Sequence, residues 1–108
     1  MNRTILAAVL VAGSAGAATA QDFDVMQKAM SLGTLIGSEE YCGLTYDQQA
    51  IEGWIADNIP AEAMEFPQNL EMGVTAETYT QNDRSPSAKT AHCAGISRTA
   101  KHYGFVAG

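Results

Sequence analysis

The chain has 108 residues, 46% of them hydrophobic and 7% aromatic, and it sets twelve acidic side chains against six basic ones for a formal charge of −6. That length supports one small domain rather than several. An isoelectric point near 4.6 makes nucleic acid and anionic lipid poor partners for the body of the protein.

Met1 to Ala20 carries one positive residue, Arg3, then the apolar run Ile5 to Ala12, then small residues ending in Ala18, Thr19 and Ala20. This is the pattern of a secretory signal peptide. The apolar run is shorter than the ~20 residues that span a bilayer, and no later segment approaches that length, so no membrane anchor is expected. Cleavage after Ala20 leaves residues 21–108 as one small helical domain, expected to be soluble in the periplasm or outside the cell. Its five basic residues against twelve acidic ones give a net charge of −7. The brevity of the leader points to a bacterial source.

Asp22 to Tyr41 reads as the first helix. Val25, Ala29, Leu32 and Ile36 step by four, three and four, and Asp22 and Asp24 sit where the helix dipole favours negative charge. Gly43 can close it. Gly33 and Gly37 lower its propensity, so a break near Gly37 and Ser38 with a separate turn from Glu39 to Cys42 is the alternative. Met26, Met30, Met64 and Met72 are expected to fill gaps in the core, the common use of methionine in a small domain, ahead of a thioether copper site.

Thr45 to Gln48 has the spacing of a capping box and predicts the start of a second helix with Ala50, Ile51, Trp54 and Ile55 buried. Trp54, the only tryptophan, is expected to anchor the core, with Gly53 leaving room for a neighbour; a ligand pocket beside Tyr46 is the alternative. Pro60 ends the helix by disfavouring a helical Ile59. Between Ala61 and Asp83 the signals are weakest. A turn from Ala61 to Phe66 and a helix from Pro67 through Leu70 and Val74 toward Tyr79 are predicted, because the segment lacks the alternation of strands. Gln81 to Arg84 reads as a polar loop.

Ser85 to Phe105 is the clearest element. Ser85 is a good N-cap, Pro86 falls at the first helical position, and Gly104 with Phe105 matches a left-handed C-terminal cap folding back on the last turn. Cys93, Ile96, Ala100 and Tyr103 form the core stripe. Gly95 costs about 1 kcal/mol relative to alanine, and with Ala88, Ala91 and Ala94 beside it close approach of another helix is the expected compensation.

The mature chain has two cysteines, Cys42 and Cys93, and export into an oxidising compartment predicts that they are bonded. A loop of roughly fifty residues closed this way stabilises a fold by about 4 kcal/mol on the chain-entropy account. The fold class is therefore all-α, a bundle of about four helices stapled by one disulfide. All twelve acids lie between Asp22 and Asp83, where Lys28 is the only base, whereas Arg84 to Gly108 holds Arg84, Lys89, Arg98 and Lys101 and no acid. Acidic helices complementing the last helix are one reading of this split; a basic face of Lys89, Arg98 and Lys101 docking on an acidic partner is the other.

The common catalytic and cofactor motifs are absent: there is no C-x-x-C, no C-x-x-C-H, no H-E-x-x-H, no G-x-S-x-G and no phosphate-binding glycine loop. His92 and His102 stand about 15 Å apart along one helix and so cannot share a metal ion. His92 beside Cys93 is no nucleophile pair if the sulfur is bridged. No catalytic residue, metal or cofactor is assigned. The layout of a short, exported, acidic, all-helical domain with one long-range disulfide resembles the small periplasmic acid-stress chaperones, although this chain lacks their lysine-rich termini. The expected function is a non-catalytic binding or accessory module for an envelope protein, with an acid-stress chaperone as the alternative and a small-ligand or metal-binding protein as the second. Mass spectrometry of the exported, non-reduced protein is expected to show a chain beginning at Gln21 with no free thiol; two free thiols would contradict the disulfide.

Overall fold

The computed structural model describes residues 22–107, so the expected signal peptide lies outside the described residues. Among them are four helices and no strand: α1 over residues 22–38, α2 over Gln48–Asn58, α3 over Phe66–Thr80 with a 3-10 turn at Gln81–Asp83, and α4 over Pro86–Tyr103. The Cys42–Cys93 disulfide is present, with the two Cα atoms 5.3 Å apart. It fastens the turn after α1 to the middle of α4, and the predicted all-α, disulfide-stapled bundle is the observed fold.

The other three helices surround α1. At the start of α2 the Tyr46 hydroxyl donates to the Leu35 carbonyl, and at its end the Asn58 carbonyl accepts from Lys28, so α2 runs antiparallel to α1. Gly33 lies beside Gly73, and Gly37 beside Glu77. That constant offset means α3 runs in the same direction as α1. Ser38 meets His92, while Leu35 shares a cleft with Ile96 and Thr99, which makes α4 antiparallel. Val25, Ala29, Leu32, Leu35 and Ser38 are accordingly buried, and together with Ile96, Ala100 and Phe105 the apolar members form one contiguous core.

The strongest caps in the sequence behave as read. Ser85 Oγ accepts from the Ala88 N–H at 3.1 Å. Gly104 takes φ 81°, its N–H and that of Phe105 bond the Lys101 and Ala100 carbonyls, and Phe105 folds back to be fully buried. This is the double bond pattern of a Schellman motif. The Phe105 carbonyl then accepts from the Asp47 N–H at 2.8 Å, which ties the tail after α4 to the head of α2.

Elsewhere the structure departs from expectation. The first helix ends at residue 38, the alternative boundary, and Gly43 at φ 69° closes a turn rather than the helix. The cap of α2 is Asp47, whose carboxylate accepts from the Gln49 and Ala50 N–H groups, and not Thr45. Tyr46 explains the shift: its N–H is held by the Glu39 carboxylate and its hydroxyl by Leu35, so the helix can begin only beyond it. Trp54 is only half-buried at the edge of the core, 5.5 Å from the Tyr103 ring. The fully buried aromatic is Phe105, because the Schellman turn drives it inward while α2 buries no residue completely. Met26, Met64 and Met72 are exposed, at 39%, 81% and 54%, and so do not fill the core.

The glycines expected to admit a neighbour, Gly53 and Gly95, face open space. The close approach is between α1 and α3. A Cβ on Gly33 would lie 2.6 Å from the Leu70 carbonyl oxygen, and one on Gly73 would lie 2.8 Å from that of Met30. Backbone meets backbone there, and no flexible side chain can yield. Gly33→Ala is expected to destabilise the protein by about 1 to 3 kcal/mol through overpacking, whereas Gly95→Ala should stabilise it by about 0.4 to 1 kcal/mol. Urea melts of the two variants check this; equal effects would mean that the helices do not touch at Gly33.

Candidate functional site

The glycine crossing determines where Glu77 goes. Gly37 stands opposite it, and a Cβ on Gly37 would come within 3.1 Å of Glu77 Cβ and 3.2 Å of Cγ. Glycine therefore makes the space through which an acidic side chain enters the interior. Glu77 is 6% exposed, and a carboxylate so deep must be paired and hydrogen-bonded.

Its partners come from three elements. Arg84, just after the 3-10 turn, donates from Nη1 to Oε2 at 2.8 Å and from Nη2 to Oε1 at 3.0 Å, the bidentate fork that a guanidinium suits best. His92 of α4 brings Nε2 to 3.3 Å from Oε2. The same Nε2 lies 2.9 Å from the Oγ of Ser38 at the end of α1. Gln81 donates to Glu77 at 3.4 Å and to the Gly37 carbonyl at 2.6 Å. Tyr41 donates to the Gln81 carbonyl, and its ring lies beneath Lys89 and Arg84, 4.5 and 5.6 Å from the centroid. The cluster thus joins α1, α3 and α4 within a few residues of the disulfide, and no buried side-chain polar atom among the described residues is left without a partner.

Burial alone would push the Glu77 carboxyl up. The Arg84 hydrogen bonds, the nearby charges of His92 and Arg84, and Gln81 more than offset it and hold Glu77 below its ordinary value. Arg84 is in turn held above its own, first by the Glu77 hydrogen bonds. The Tyr46 hydroxyl is pushed up to about 12, by burial and then by the Glu39 carboxylate, which keeps it a neutral donor to Leu35.

Ser38, His92 and Glu77 are the residue types of a nucleophile, a base and an orienting acid, but their arrangement is not a relay. Both contacts converge on one ring nitrogen, whereas passing a proton through the ring requires the hydroxyl on one nitrogen and the acid on the other. Ser38 is also fully buried. The arrangement clamps helices together. Among the described residues no three histidine, cysteine or acidic side chains gather to hold a metal ion. Met26 and Met30 line one cleft with Phe23 and Tyr103, while Met72 lines a different one.

Lys89, Arg98 and Lys101 are all exposed, and none enters a salt bridge among those of the described residues, which are Asp24–Lys28, Glu77–Arg84 and Glu77–His92. They do not share one face of α4. Nine residues at 100° each turn Arg98 to the side opposite Lys89, and Lys89 is directed over Tyr41. Sequence reasoning missed Glu77, Gln81 and Arg84, although their spacing of four and three is the helical signature of a chain of partners.

A second feature lies on the far side of α3. Met72 is 54% and Tyr79 83% exposed, and the two line a shallow depression together with Thr75 and Ala76. Comparison of the chain with protein-family models, with curated proteins and with solved structures finds no match.

Because the folded Glu77 carboxyl titrates below its ordinary value, its contribution is complete above that value, about 4.5 for an unperturbed carboxyl. It is lost as pH falls through the lower, folded value. Glu77→Gln is expected to cost about 2 to 4 kcal/mol at pH 5.5 by breaking a buried pair. In denaturant melts the gap between the two proteins should narrow as pH falls below the ordinary carboxyl value and Glu77 takes up its proton; a gap that stays constant as the solution is acidified would contradict the assignment.

Proposed function

We propose that the protein is an exported, non-catalytic binding or accessory module that docks on another protein of the cell envelope. The single observation carrying this reading is the outer face of α3. Phe66, Gly73 and Glu77 point inward and are buried, yet Met72 and Tyr79 on the opposite side stand in solvent. A helix apolar on two sides has one side to spare, and grouped exposure of large apolar residues is the usual mark of an interaction surface. Exposed tyrosine and methionine are well suited to it, one as an amphipathic anchor and the other as an adaptable contact.

The disulfide and the Glu77 cluster favour a constitutive module over an acid-activated chaperone. Acid opening requires the carboxylate pairs to fail at the pH of the stress. The buried pair resists protonation down to below the ordinary carboxyl range, and the Cys42–Cys93 bond, which does not titrate, crosses the same junction. In-cell crosslinking tests the reading, with a photoreactive phenylalanine replacing Tyr79 and, as control, Glu52 on the exposed side of α2. A discrete product with an envelope protein is expected at position 79 and not at 52. No product at 79 would contradict the module, and a broad set of clients captured only in acid would favour the chaperone.

A further inference from the structure

We propose that the outer face of α3 receives a cationic amphipathic helix of its partner, an inference that rests on the binding-module reading and adds the chemistry of what is bound. The geometry comes from the spacing. Gln68, Met72, Thr75 and Tyr79 all line the depression and step by four, three and four, the period of a coiled-coil seam. Met72, Thr75, Ala76 and Tyr79 stand at i, i+3, i+4 and i+7. Those four positions on one helix form the hole that accepts a knob from a facing helix. Here two large side chains and two small ones make the hole, so an apolar knob can seat over Ala76 between Met72 and Tyr79.

Charge selects among occupants. Residues 61–83 carry Glu62, Glu65, Glu71, Glu77 and Asp83 and no basic residue. Arg84 neutralises Glu77, while the other four are exposed. Glu71 lines the depression, and Glu65, the N-cap of α3, precedes Met72 by seven residues and so shares its phase. A second copy of this chain would bring the same uncompensated acids to the seam, and anionic headgroups would be repelled by it. An extended peptide adding to a sheet finds no strand among the described residues. A helix with an apolar stripe flanked by lysine or arginine satisfies both the shape and the charge.

The test uses two labelled synthetic helices of about three heptads, leucine at the seam positions, flanked by lysine in one and glutamate in the other. Binding to the exported, disulfide-bonded protein is read by fluorescence anisotropy. The lysine-flanked helix should bind, more weakly as salt rises. The double variant Met72→Ser, Tyr79→Ser should bind it at least about tenfold less tightly with unchanged circular dichroism, and Glu65→Lys with Glu71→Lys should move the preference to the glutamate-flanked helix. Equal binding of both helices, binding of neither, or indifference to the double variant overturns the proposal. So does a dimer of the protein itself that the double variant abolishes. A crosslink at position 79 that persists while the lysine-flanked helix fails to bind would retain the binding module and discard the cationic helix.

Discussion

The contact on which the remaining structure depends is the crossing of α1 and α3 at Gly33 and Gly73. Their backbones approach so closely that a single added methyl group at either glycine would collide with a main-chain carbonyl of the other helix. Glycine costs helical propensity at both positions, but it allows α3 to lie against a helix that α2 and α4 already flank. The crossing also sets the rotation of α3. With Gly73 against α1, Glu77 one turn later must point inward beside Gly37, and Met72 must point outward. Burial of a carboxylate and exposure of an apolar seam are two consequences of one contact.

Burying Glu77 then dictates the chain that follows. An unpaired carboxylate at that depth would be strongly destabilising, so α3 must end where Gln81 and Arg84 can turn back on it, and the 3-10 turn at Gln81–Asp83 makes that possible. His92 and Ser38 complete the junction from α4 and α1. The uneven distribution of charge along the sequence therefore has a narrower role than its totals imply. One acid of the twelve meets two residues of the basic C-terminal region in the interior, and Lys89, Arg98 and Lys101 remain at the surface.

What was legible in the sequence was what depends on neighbours a few residues away. Ser85 with Pro86, Gly104 with Phe105, and the stop before Pro60 are local devices, and each sits where it was read. The cysteine pair was legible for a different reason, since a chain with two cysteines allows one intramolecular pairing. Tertiary contacts account for the misses. Thr45 and Gln48 have the spacing of a capping box, but Tyr46 is held to Glu39 and Leu35, and Asp47 takes the cap. Trp54 is the largest apolar residue, yet the Schellman turn gives the interior to Phe105. A glycine in a helix announces no partner by itself: Gly95 and Gly33 look alike in sequence, and only the fold decides which is crowded. Glu77 resembled any surface acid until α1 supplied a glycine opposite it.

On this reading α3 is a firmly held helix, fixed on its inner side by the glycine crossing and the Glu77 cluster, and for that reason able to present a fixed apolar seam outward. Native-state hydrogen exchange of the disulfide-bonded protein near neutral pH tests this most directly, because it measures how readily each helix opens on its own. The inner amides of α3, from Leu70 to Gln81, should be protected to the same degree as those of α4 around Ile96 and Ala100. Exchange of α3 as fast as that of the turn between Pro60 and Glu65, with α1 and α4 still protected, would show that α3 is loosely attached and that its outer face is not held in place.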